Sequence, residues 1–151
     1  MSDASILNAR PHVSITEVGT RDGFQSEPEF IPTAVKAQVV DDLIAAGVTH
    51  VEATSFVSPK AVPQLADAHE MLSLVTRRPD AYIAALAPNA RGAERALGAG
   101  VDEIVCFVSA SETHNGANLN ASIERSLANA GEIAAIARGR VPVRGAVACA
   151  R

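Results

Sequence analysis

Gly19-Thr20-Arg21-Asp22-Gly23-Phe24-Gln25 follows directly on the alternating run Val13–Val18. Val51-Glu52-Ala53-Thr54-Ser55-Phe56-Val57-Ser58-Pro59-Lys60 overlaps the next apolar run, Val48–Thr54. Alternation of period two reads as a strand, and a short apolar run bounded by Gly and Pro reads as a buried one. Both runs therefore set charged groups at the C-terminal ends of two successive strands. Parallel strands deliver those ends to one face, which is where a (β/α) barrel builds its site.

Working outward, the pattern alternates along the whole chain. Pro32-Thr33 opens a helix with Thr33 as its expected N-cap. Val35, Val39, Leu43 and Ala46 form its expected apolar face, and Gly47 suits its C′ position. Two prolines, Pro59 and Pro63, make the Ser55–Gln64 segment a loop. A helix over about Leu65–Arg77 carries Leu65, Ala68, Leu72 and Val75 on one side. Strand three is Ala81–Ala87. Pro88-Asn89 starts a helix that ends at Gly98 or Gly100, and Val101–Val108 is strand four. Ser109–Asn118 reads as a polar loop. Asn120 caps a helix bearing Ile123, Leu127, Ile133 and Ile136, and Val141–Val147 is strand five. Ala46-Gly47-Val48 and Ala99-Gly100-Val101 repeat one helix–Gly–strand joint. The order implies a parallel sheet with right-handed crossovers. A doubly wound sheet shares that order, but its usual G-x-G-x-x-G is absent from the first loop, and no P-loop is present.

Composition bounds the function. The 151 residues fit one domain; they are 48% hydrophobic but only 3% aromatic, so the core is built of Ala, Val, Ile and Leu. The net charge of -4 comes with no basic run, which argues against nucleic acid, although a few local cations could still hold a CoA ester. No apolar run approaches the ~20 residues of a membrane span. Met1-Ser2-Asp3-Ala4 lacks a signal-peptide pattern, and Cys106 and Cys149 read as reduced, buried thiols, so the expected location is cytoplasmic.

Asp22 is a hard-cation ligand type, suited to Mg²⁺ or Mn²⁺. An adjacent arginine, Arg21, can stabilise an oxyanion developing near such a metal. Glu52 can orient Arg21 through a bidentate pair. Taken alone, the same residues would also make an ordinary polar turn with a salt-bridge partner. Lys60 could reach a CoA phosphate or stand free in the loop.

Gly19-x-Arg21-Asp22-Gly23-x-Gln25 and the segment from Glu52 to Gln64, with Ala87-Pro88-Asn89 and Asn118-Leu119-Asn120, resemble the 3-hydroxy-3-methylglutaryl-CoA lyases. These are metal-dependent aldolase-type barrels, related to condensing enzymes such as isopropylmalate synthase. The resemblance covers about residues 13–150, after a leader over 1–12. It implies a TIM barrel of which this chain, at 13–151, is the N-terminal half, with about five parallel strands and four helices. It implies a metal on Asp22, enolate stabilisation by Arg21 supported by Glu52, and a substrate pocket lined by Gln25, Ser55 and Asn118. The implied reaction is cleavage of 3-hydroxy-3-methylglutaryl-CoA to acetoacetate and acetyl-CoA, a step of leucine catabolism. The family's remaining metal ligands, a His-x-His pair and an Asn, and its catalytic Cys would lie beyond Arg151, so the chain alone is expected to be inactive. A homodimer or a complementing C-terminal half is the expected partner. Two further readings stay open: a non-catalytic half-barrel that binds a CoA thioester, and a lyase for a longer-chain 3-hydroxyglutaryl-CoA or a condensing relative. The family commonly has Tyr where Ala146 stands, which leaves the acyl group open.

Overall fold

In the computed structural model, residues 14–150 are described. The expected leader over 1–12, and Val13 of the first expected strand, lie outside them. Four strands form one parallel sheet: β1 (His50–Ser55), β2 (Tyr82–Leu86), β3 (Glu103–Ser109) and β4 (Val143–Ala148). Among the described residues, α1 (Thr33–Ala45) precedes the sheet, and α2 (Ala68–Leu74), α3 (Ala90–Gly98), α4 (Glu112–Leu119) and α5 (Ile123–Ala137) connect its strands.

The strands lie side by side in the order β1-β2-β3-β4, which is their order in the chain. A doubly wound sheet reverses order at a switch point; a barrel does not. Side chains show that the sheet also curls. Arg144 of β4 places Nη2 3.4 Å from Oε2 of Glu52 on β1. In a flat sheet those strands would stand about 14 Å apart at the usual spacing; the meeting of the two side chains over one face fits a sheet that is concave on that side. Sequential order and concavity together make this a segment of a (β/α) barrel.

The first expected strand is reduced to one parallel bridge, Glu17 to Val51. Glu17 N–H donates to His50 O at 2.9 Å and Glu52 N–H donates to Glu17 O at 2.8 Å. Among the described residues this segment has one neighbour, and Ile15 is 79% exposed, so little apolar burial extends the pairing. β1 is buried along nearly its whole length, whereas β4, at the other side, has every second residue exposed or nearly so. Ala53 is a bulge: Glu52 pairs with Ala84 and Thr54 with Ala85, leaving Ala53 unmatched.

The helices correct several sequence expectations. Pro32, not Thr33, is the N-cap of α1, in extended geometry and with no side-chain cap bond. The buried face of α1 is Lys36, Ala37, Val40 and Ile44, one position on from the expected stripe, and Val35 is exposed. Position 36 faces inward because its ammonium finds partners there, described below. The expected helix over Leu65–Arg77 splits into a 3₁₀ turn, Pro63–Leu65, and α2, yet all four residues of its expected apolar side are buried. Asn89 caps α3 by accepting from Gly92 N–H at 3.0 Å, and α3 ends at Gly98 as expected. The expected loop Ser109–Asn118 contains α4. Ser111 caps it, and Asn115 ties it down by accepting from Ser109 N–H and donating to Ala121 O and Ser126 Oγ. Asn120 is therefore the left-handed C-cap of α4, and Ser122 caps α5. Leu127, expected inside, is 57% exposed; Ile133 is buried as expected, and Ser126 and Ala137 turn inward with it. Gly47 and Gly100, in the repeated joint, both have positive φ, which a side chain would strain.

No helix among the described residues is long and apolar enough to cross a membrane. Both cysteines are free, but only Cys106 is buried; Cys149, past the end of β4, is exposed, against expectation. Burial pushes the Cys106 thiol up from its ordinary value, only partly offset by a backbone hydrogen bond. A maleimide is therefore expected to add once to the native chain, at Cys149, and twice after unfolding in urea, as read by intact mass. Rapid double labelling of the native chain would contradict the packing around Cys106.

Candidate functional site

The motif after the first bridge forms a single π-helical turn, Gly19–Gly23. Arg21 N–H and Asp22 N–H both donate to Val18 O, at 3.0 and 2.8 Å. Thr20, buried within the turn, donates its hydroxyl to Glu52 O at 3.3 Å. That bond fastens the turn to the middle of β1. Such single-turn π segments recur at functional sites because they aim side chains that a regular turn would not.

Arg21 points back at Glu52. Its Nε donates to Glu52 Oε1 at 2.6 Å, and its Nη1 donates to Asp22 Oδ1 at 2.7 Å. The expected bidentate Arg21–Glu52 pair is not formed. The second carboxylate oxygen of Glu52 is taken by Arg144 at 3.4 Å, and Arg144 also donates to Glu103 at 3.0 Å. One carboxylate thus serves two guanidiniums, one from each side of the concave face. The Glu52 side chain is 4% exposed and that of Arg21 19%, while that of Asp22 is 64% exposed. The buried pair fixes Arg21, and Asp22 faces solvent.

Arg21, Asp22, Gln25, Ser55 and Asn118 all line one cleft of about 370 Å³. Its apolar wall includes Val57, Leu86 and Phe107. Glu52 is the one expected site residue outside the lining, and it holds Arg21 from behind. Glu52 and Ser55 are three apart, a spacing that faces opposite ways on a regular strand. The Ala53 bulge restores them to one face. Asn118 is brought in by α4; its Nδ2 donates to His114 O at 3.1 Å and stands 3.0 Å from His114 Nε2. Phe107, in β3, packs against the His114 ring with centroids 6.3 Å apart.

Sequence reading missed Arg144. The signal was there: one arginine inside the apolar run Val141–Ala150, where a barrel-facing position needs a carboxylate partner. It also missed Lys36, whose burial no periodicity announces.

Among the described residues no group of three or more His, Cys, Asp or Glu side chains could enclose a metal. Asp22 offers one exposed carboxylate, with Oδ1 engaged by Arg21. That suits one ligand of a hydrated hard cation and is not a complete site.

Comparison with known proteins agrees with this geometry. The HMGL-like family matches residues 12–147. A mitochondrial hydroxymethylglutaryl-CoA lyase of Arabidopsis thaliana is 46% identical over 138 residues, covering 91% of this chain and 30% of that protein. A 3-hydroxy-3-isohexenylglutaryl-CoA/hydroxy-methylglutaryl-CoA lyase of Pseudomonas aeruginosa is 44% identical, covering 95% of this chain and 48% of that protein. The solved structure of an HMG-CoA lyase from Acinetobacter baumannii, in complex with coenzyme A and 3-methylmalate, superposes with a TM-score of 0.86 at 40% identity, covering 89% of this chain and 44% of that one. The chain spans less than half the length of each of these relatives.

Proposed function

The chain belongs to the HMGL-like family, and we propose that it supplies the acyl-binding half of a carbon–carbon lyase site for 3-hydroxy-3-methylglutaryl-CoA. The observation that carries this reading is Arg21 held at the rim of the cleft by buried Glu52, beside the open carboxylate of Asp22.

In the reaction a base takes the tertiary hydroxyl proton, and the O–H electron pair becomes the ketone of acetoacetate. The adjacent C–C bond breaks, and its electrons pass to the thioester, giving an enolate that is protonated at carbon to acetyl-CoA. A fixed cation near the thioester oxygen stabilises that enolate more than the starting ester. Arg21 suits this part: Nε and Nη1 are occupied by Glu52 and Asp22, and Nη2 has no partner among the described residues. Gln25, Ser55 and Asn118 supply polar contacts for the hydroxyl and carboxylate of the acyl group. Asp22 would supply one oxygen ligand to a divalent metal, Mg²⁺ or Mn²⁺, which when bound polarises the substrate's oxygens. The other ligands and the proton donor would come from a complementing half-barrel. Two free thiols are in keeping with a cytoplasmic setting.

A longer-chain 3-hydroxyglutaryl thioester is the second reading. Ala146, the register partner of the cleft residue Phe107 on the neighbouring strand, carries only a methyl group.

The test mixes this chain with the C-terminal half of a hydroxymethylglutaryl-CoA lyase, adds Mg²⁺ and substrate, and measures acetoacetate. Release by the mixture and by neither half is expected, with Arg21→Met lowering it about 100- to 1,000-fold. Tight thioester binding without cleavage in the mixture would favour the non-catalytic reading. A faster reaction with the longer substrate would favour the second.

A further inference from the structure

Asn118 meets the cleft with an amide whose direction is fixed. Its Nδ2 donates to the backbone carbonyl of His114 at 3.1 Å and stands 3.0 Å from Nε2 of the His114 ring. A carbonyl oxygen only accepts, so the amide cannot be turned round: Oδ1 in that place would set two acceptors against each other. The second amide proton then meets Nε2, which must accept it. Both protons are spent within α4, and the cleft is left with Oδ1 alone.

His114 is arranged for this one contact. With Nε2 accepting, the proton of the neutral imidazole sits on Nδ1. Nδ1 is buried and has no hydrogen-bond partner among the described residues. A histidine that merely filled an interior would not leave its one donor orphaned, because that costs the fold stability. Packing holds the ring instead. Phe107 of β3, itself a cleft residue, lies against it with the planes tilted by 56°. His114 stands outside the cleft lining and behind Asn118, as Glu52 stands behind Arg21.

The other polar groups of the cleft differ in sense. Ser55 Oγ accepts from Val57 N–H at 3.3 Å, so its own proton is free to donate. Arg21 only donates. Asp22 is a charged acceptor, assigned above to the metal, and Gln25 can turn either end of its amide to a ligand. Asn118 Oδ1 is the neutral acceptor of fixed direction.

We propose that His114 is a positioning residue that makes Asn118 a dedicated hydrogen-bond acceptor, and that Asn118 takes the hydroxyl of the acyl chain and not its carboxylate. Among the polar groups of a 3-hydroxyglutaryl chain, the ionised carboxylate and the thioester carbonyl only accept; the hydroxyl alone donates. The direction of the amide stands on the geometry of α4. The choice of the hydroxyl rests on the lyase reading above.

Two measurements on the 151-residue chain test this. The first is ¹⁵N NMR of the imidazoles at about pH 8.5, above the ordinary histidine range, with the His114 signals identified by their loss in His114→Phe. The neutral ring is expected to carry its proton on Nδ1; a proton on Nε2 would overturn the fixed amide. The second is calorimetry with 3-hydroxy-3-methylglutaryl-CoA and with 3,3-dimethylglutaryl-CoA, in which a methyl group replaces the hydroxyl. The hydroxylated thioester is expected to bind about five- to tenfold more tightly. His114→Phe keeps the ring packing, removes the acceptor, and is expected to reduce that preference to about twofold or less. His114→Gln, whose Oε1 can accept from Asn118, is expected to restore most of it. Unchanged circular-dichroism melts show that the variants are folded. Equal binding of the two thioesters by the native chain would overturn the hydroxyl assignment and leave the lyase reading intact. A preference that His114→Phe does not reduce would overturn the role of His114. Binding of neither thioester would overturn the hydroxyl assignment together with the lyase reading, while a proton on Nδ1 would still support the fixed amide.

Discussion

Lys36→Met is expected to lower the unfolding free energy by about 3–5 kcal/mol, measured by urea denaturation. Lys36 is 1% exposed. Its ammonium donates to Gln64 O and, at 2.8 Å, to Asp67 Oδ1, and it lies 4.0 Å from the centroid of the Phe30 ring. Methionine fills the space and keeps the apolar contact with Phe30, so the loss isolates the charge. What remains is a carboxylate only 9% exposed, whose other oxygen, Oδ2, already has no hydrogen-bond partner. An uncompensated buried charge is the costly outcome. Lys36→Met/Asp67→Asn removes that charge as well and is expected to recover a large part of the loss. A drop below about 1 kcal/mol in the single variant would mean that water reaches the pair freely. The bond to Gln64 also bears on the cleft. Gln64 Nε2 donates to Glu27 O at 2.9 Å, so Lys36, Gln64 and Glu27 clip the two motif-bearing loops together.

Glu52→Ala is expected to cost about 3 kcal/mol or more, again by denaturation. The carboxylate is enclosed by two guanidiniums, and its removal leaves Arg21 and Arg144 facing each other across a partly dry interior. Glu52→Gln separates charge from shape. It retains one acceptor for Arg21 Nε, but the amide nitrogen that replaces the second oxygen donates and cannot accept from Arg144. The glutamine variant is therefore expected to lose about 2 kcal/mol, less than alanine. Equal losses would assign the whole effect to charge and none to the hydrogen bond. On the lyase reading the alanine variant also frees Arg21 to pair with Asp22 alone, so its thioester affinity is expected to fall together with stability.

The gathering of the candidate residues at one cleft was legible in the sequence because they follow strand ends. Arg21, Asp22 and Gln25 sit just past the first bridge, Ser55 ends β1, and parallel strands bring such ends together whatever the loops do. The cap at Asn89, the stop at Gly98 and the inner side of α2 were legible from local chemistry. The helix α4 was not. Glu-Thr-His-Asn-Gly-Ala-Asn-Leu has no apolar period, and what holds it is a polar core residue, Asn115. The face of α1 was misread by one position because a lysine occupies an interior place that hydrophobic spacing reserves for apolar residues. The shared use of Glu52 by two arginines depends on sheet curl, which no strand records by itself.

Because neighbours in the sheet are also neighbours in the sequence, each strand pairs with one made shortly before it. Among the described residues, a nascent chain therefore does not have to hold one of these strands open for a neighbour that is distant in sequence. β2 can dock on β1 as soon as α2 has been translated, and β3 on β2 after α3. The bond from Arg144 to Glu52 is the exception. It joins the last strand to the first and can close only after the others are in place. A pulse-labelling experiment on stalled chains would thus find the strand ladders protected early and the charged centre of the concave face last.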